Sequence, residues 1–115
     1  MKSPIKIISL LIRDSEEIAK SQLTSNTTRN DLIQTAEAHR KSLNNDSFNN
    51  QRICEVLTDL YSQIYHAFEL EPKLKSKFAV VQNHMEIAKS IVLEMTGSFT
   101  YKKRGKNEII GKLDL

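Results

Sequence analysis

Leu74-Lys75-Ser76-Lys77-Phe78-Ala79-Val80-Val81-Gln82-Asn83-His84-Met85-Glu86-Ile87-Ala88-Lys89-Ser90-Ile91-Val92-Leu93-Glu94-Met95 is the stretch that decides the fold. Leu74, Phe78, Val81, Met85, Ala88, Val92 and Met95 recur at alternating spacings of four and three. That is the seam of a coiled coil or of a tightly packed helical bundle. Beside the seam run Val80, Ile87 and Ile91, with His84 among them. A second apolar edge on one helix means burial on two sides or a groove left for a partner helix. The spacing predicts one continuous amphipathic rod from Leu74 to Met95.

The residues that break regular structure are scarce and badly distributed for anything but helices. All three glycines (Gly97, Gly105, Gly111) lie in the last 19 residues, and the only prolines are Pro4 and Pro72. Trp is absent. Upstream of the seam, Ser3 as N-cap with Pro4 at the first helical position opens a helix. Its stripe is Ile5, Ile8, Leu11, Ile12, Ile18 and Ala19, widened by Ile7 and Leu10, and it is expected to fade near Leu23. Thr28-Arg29-Asn30-Asp31 reads as a short capping box opening a second helix. Its face, Leu32, Ala36, His39 and Leu43, is weak. A third helix opens between Ser47 and Asn50 and carries Ile53, Val56, Leu57, Leu60, Ile64, Ala67 and Phe68, with Tyr61, Tyr65 and Leu70 alongside. Burying its larger side chains contributes about 1.5–3 kcal/mol each before entropy is charged. Pro72 then forces Glu71 out of the helical region and makes a hinge. Gly97 is the expected C-cap of the last helix.

After Gly97 the chain changes character. Residues 1–97 balance 12 basic against 12 acidic side chains, so the net charge of +3 resides in the tail, with Lys102, Lys103, Arg104, Lys106 and Lys112 against Glu108 and Asp114. Phe99-Thr100-Tyr101 and Glu108-Ile109-Ile110 have β-type residues around a turn-like middle. A small hairpin fits, but an isolated two-stranded hairpin is marginal in water, so a flexible tail that orders on binding is the default expectation. One cluster of lysines supplies fewer phosphate contacts than a nucleic-acid surface ordinarily needs.

Little in the sequence carries chemistry. His39, His66 and His84 fall on three different helices, and none has a second metal-type ligand three or four residues away. Cys54 is alone, which excludes an internal disulfide and suits a reducing compartment. It reads as a small apolar group rather than a nucleophile. No GxGxxG, phosphate loop or GxSxG is present. The expectation is therefore no enzyme, no cofactor and no metal. The apolar run near the N-terminus is short, is interrupted by Lys6, and is too brief to span a bilayer, so the chain is expected to be cytoplasmic.

Leu74-Lys75-Ser76-Lys77-Phe78, Asn83, Met85-Glu86-Ile87-Ala88-Lys89-Ser90-Ile91-Val92, then Gly97-Ser98-Phe99-Thr100-Tyr101 and Gly105 together resemble the C-terminal part of the FlgN-type flagellar export chaperones. The resemblance covers about a third of the chain. It implies a non-enzymatic chaperone that holds the C-terminal helical segment of hook–filament junction proteins. It also implies that the last amphipathic helix takes the client, here through Phe78, Val81, Met85, Ile87, Ile91, Val92 and Met95. The first helical hairpin is shorter than the family pattern, with breaks at 24–28 and 44–50.

The expected architecture is all-α, an antiparallel bundle of three to four helices over residues 1–97, with a basic non-helical tail or small hairpin over residues 98–115. The expected function is a chaperone or adaptor that binds another protein through an amphipathic helix. A small phage- or plasmid-borne inhibitor or immunity protein is the second expectation, and nucleic-acid binding through Lys102, Lys103, Arg104 and Lys106 the third. A chaperone should leave the last helix partly exposed; an inhibitor should have a closed core.

Overall fold

The computed structural model describes residues 3–45, 47–103 and 106–112, beyond Thr100 as backbone alone. The described residues form α1 (Pro4–Lys20), α2 (Asn26–Asn45), α3 (Asn50–Leu70), α4 (Pro72–Lys77), α5 (Ala79–Thr96), β1 (Ser98–Lys103) and β2 (Lys106–Lys112). The all-α bundle is what the seam and the scarcity of Gly and Pro imply. α1 lies at its centre, packed against α2, α3 and α5, and α3 in turn contacts α2, α4 and α5. Ile7, Ile8, Leu11, Ile12 and Ile18 of α1 are fully buried because neighbours meet that helix on more than one side.

Each boundary has a local cause. Ser3 precedes Pro4 at the start of α1, although its side chain makes no capping hydrogen bond. α1 stops at Lys20, short of Leu23, and Arg29 binds carbonyls of its last turn and of the loop that follows. Nε donates to the Ala19 carbonyl at 2.6 Å, and Nη2 donates to those of Ser21 at 3.2 Å and Thr24 at 3.0 Å. α2 starts at Asn26 rather than Thr28. The cap is Ser25, whose Oγ accepts from the Thr28 N–H at 3.3 Å, so the Thr28 capping box is not the one used. Asn49 caps α3 by accepting from the Arg52 N–H at 2.8 Å. Glu71 is extended before Pro72, and its carboxylate accepts from the Lys73 N–H at 3.2 Å. Gly97 closes α5 at φ 83°, the left-handed conformation that favours glycine.

Two expectations are corrected. The rod from Leu74 to Met95 is not continuous: it breaks at Phe78 (φ −113°, ψ 50°) into α4 and α5, so the bundle has five helical segments rather than three to four. The Phe78 N–H still bonds the Leu74 carbonyl at 2.9 Å, but the Val81 N–H reaches only three residues back, to Phe78, at 3.0 Å. The Lys75 carbonyl instead accepts from Gln82 Nε2 at 3.0 Å. A side-chain amide thus replaces a lost backbone bond, which lets the turn form without Gly or Pro.

The second correction concerns the tail. The default of a flexible segment gives way to an antiparallel hairpin of β1 and β2, pairing Ser98 with Lys112, Tyr101 with Glu108, Lys102 with Asn107 and Lys103 with Lys106, with an irregularity between Phe99 and Thr100. Two strands alone are marginal. These are held because Phe99 is fully buried in the core, its ring edge-on to Tyr61 at 4.7 Å between centroids, and because β1 packs on α3 and α5. No helix among the described residues is long and apolar enough to cross a membrane.

Candidate functional site

The break at Phe78 and the turn at Pro72 leave a cleft of about 330 Å³ where α3, α4 and α5 meet. α3 contributes Tyr61, Tyr65, Phe68 and Glu69; α4 contributes Pro72 and Lys75; α5 contributes Gln82, Met85 and Glu86. Tyr61 and Tyr65, one helical turn apart, stack with centroids 5.9 Å apart and planes 16° from parallel. Phe99 of the hairpin backs Tyr61 from the other side, so the cleft wall is one end of a Phe99–Tyr61–Tyr65 row. Gln82 holds the α4 and α5 walls together through the Lys75 carbonyl. Lys75 and Glu86 are exposed on the α4 and α5 walls.

This site is suited to binding rather than acid–base work. Burial, then the Glu86 carboxylate and Tyr65, push the Tyr61 phenol up to about 12, so it stays protonated at physiological pH. Aromatic rings with a methionine offer apolar contact area and an adaptable surface. A second groove, about 720 Å³, runs between α3, the end of α5 and β1. It is larger and more open, and Thr58, Ser62, Gln63, Thr96, Ser98 and Thr100 place a greater share of hydroxyl and amide groups beside its apolar surface than the cleft has.

The seven residues expected to contact a partner divide. Val81, Met85, Ile91 and Val92 are buried in the core, and Phe78, Ile87 and Met95 are half-buried against it. The seam is thus occupied by α1 and α3 and is not an open client groove; Met85 alone of the seven also lines the cleft. Lys102, Lys103 and Lys106 lie in the strands of the hairpin, and Arg104 lies outside the described residues. In the sequence Phe68 belongs to the apolar stripe of α3 and Tyr61 and Tyr65 lie alongside it, with no motif that marks a site. The available signal was two tyrosines at helical spacing on the edge of that stripe, where an amphipathic ring keeps one end at the surface.

The histidines do not converge. His84 Nδ1 lies 2.6 Å from Asp14 Oδ2, joining α5 to α1, and His39 Nε2 lies 2.6 Å from Asp59 Oδ2, joining α2 to α3. Burial raises Asp14 above its ordinary value, against the opposing pull of His84. His39 Nδ1 is buried without a hydrogen-bond partner among the described residues. The described residues contain no group of three His, Cys, Asp or Glu side chains placed to hold a metal ion. Cys54 is half-buried, with Sγ 3.7 Å from Met95 Sδ, and burial followed by the Glu55 carboxylate raises its thiol. Raising a thiol reduces its thiolate fraction, the opposite of what a nucleophile needs.

No family model, curated protein or solved structure matches this chain.

Proposed function

We infer that this protein is a small, non-enzymatic protein-binding module of the chaperone or adaptor kind. It holds a helical segment of a partner by taking an apolar side chain of that helix into the cleft between α3, α4 and α5. The observation that carries this reading is the cleft itself: stacked Tyr61 and Tyr65 with Phe68 and Met85 at a place where the bundle does not close. Helix-in-groove recognition requires an apolar slot on a folded scaffold with charges at its rim, and Lys75 and Glu86 provide those charges. Among the described residues, the two most exposed large apolar side chains, Leu70 and Val80, belong to the same end of the antiparallel α3 and α5.

The specific client that the resemblance implies is the C-terminal helix of a hook–filament junction protein. Labelled peptides of that segment and of unrelated amphipathic helices, titrated against the full chain by fluorescence anisotropy, test the reading. Binding that Tyr65→Ala weakens about tenfold or more, with the thermal melt retained, supports it. Indifference to Tyr65→Ala, or contact mapped to the polar groove beside Cys54, contradicts it. One observation favours the second reading, a small inhibitor of a folded target: Val81, Met85, Ile91 and Val92 are closed into the core, as an inhibitor's would be. An inhibitor would ignore isolated helical peptides and bind only a folded partner.

A further inference from the structure

We propose that the basic hairpin and the cleft form one recognition surface, and that its occupant is an acidic amphipathic helix of a partner protein. This rests on the reading of the cleft as a partner site and adds the chemistry of the partner. The direction of β1 supplies the first argument. Ser98 borders the groove beside Cys54, near the start of α3, and Phe99 packs on Tyr61, about two turns further along that helix. The strand thus advances along α3 toward Tyr65 and Glu69, which line the cleft. The backbone register sets Lys102 opposite Asn107 and Lys103 opposite Lys106, so three lysines gather at the far end of the ribbon.

Charge supplies the second argument. Residues 1–97 are balanced, and the segment after Gly97 holds the whole positive excess. Lys75 on the α4 wall adds to the lysines of the ribbon, and together they outnumber Glu69 and Glu86 of the cleft and Glu108 of the ribbon. A helix whose apolar stripe fills an aromatic slot while its flank meets this ribbon must be acidic on that flank; a basic flank would be repelled. Nucleic acid fits less well. Its phosphates would meet the Glu69 and Glu86 carboxylates at the slot, and the bundle offers no further net positive charge to extend the footprint.

Two synthetic peptides of about 20 residues, with the same leucine and phenylalanine stripe but with glutamate or lysine on the flanks, separate the outcomes. Against the full chain at about 50 mM salt, the acidic peptide is expected to bind about tenfold or more tightly than the basic one. The gap should close at about 0.5 M salt. Changing Lys102, Lys103 and Lys106 together to Glu should reverse the preference, so that the basic peptide gains, with the hairpin amides still protected from exchange. Tyr65→Ala should weaken both peptides. Equal affinity for the two, with Tyr65→Ala still damaging, overturns the acidic-partner proposal and leaves the cleft reading intact. Binding of neither peptide overturns both. A single-stranded oligonucleotide that binds through the three lysines, while the acidic peptide is silent, overturns the proposal in favour of nucleic acid.

Discussion

Phe99→Ala removes the fully buried side chain that, among the described residues, ties the hairpin to the bundle. The ring is fully buried, and it meets Tyr61 edge-on at 4.7 Å and 65°. Truncating a buried phenylalanine costs about 3–5 kcal/mol, of which the aromatic contact accounts for roughly 0.5–1.5. A chain of 115 residues has a total stability of roughly 6–17 kcal/mol, so the loss is a large fraction of the whole. Two strands without an anchor do not hold. The expected result is therefore a drop in urea stability of about 3 kcal/mol or more. Loss of amide-exchange protection should be confined at first to residues 98–112, with α1 and α3 still protected. The same variant should loosen Tyr61 in the cleft wall and weaken peptide binding. A drop of less than about 1 kcal/mol with hairpin amides as protected as in the parent would refute this account of how the hairpin is held.

Asp14 binds protons more readily in the folded than in the unfolded chain, so stability should fall as pH rises from 3.8 through its raised value, and this burden is absent below 3.8. Asp14→Asn should remove that slope from the urea midpoint, leaving a constant offset from the altered contact with His84. Arg29→Ala removes the donors that reach the Ala19 carbonyl of α1 and the Ser21 and Thr24 carbonyls of the following loop, of which Ser21 keeps the Thr24 N–H at 3.1 Å, and should cost about 1.5–3 kcal/mol by thermal melt, with Arg29→Lys recovering only part because an ammonium cannot span all three. Gly97→Ala should cost about 1–2 kcal/mol in urea from the left-handed φ alone, since an added Cβ meets nothing within 4 Å.

The helical fold was legible because its signals are local and repeated. The α3 stripe, Pro72 after an extended Glu71, and Gly97 as the closing residue all act within a few positions of themselves. What escaped depends on distant partners. Arg29 binds the end of α1 by reaching back ten residues to Ala19, which no composition rule registers. Phe78 keeps the heptad spacing whether or not the helix is continuous, so the break that opens the cleft leaves no trace in the pattern. The tail reads as marginal by itself, and among its described side chains the ring that anchors its first strand meets Tyr61, 38 positions upstream. The burial of the residues expected to meet a partner was illegible for the same reason. An apolar seam looks alike whether it faces its own bundle or a partner, and here α1 and α3 fill it.

Methionine-methyl NMR of the full chain during titration with an amphipathic helical peptide separates the cleft from the rest of the molecule. Met85 lines the cleft, whereas Met95 lies on the far side against Cys54 and serves as the internal control. A Met85 signal that moves to saturation while Met95 stays still is the expected result. A Met95 signal that moves while Met85 does not would contradict the assignment of the binding face.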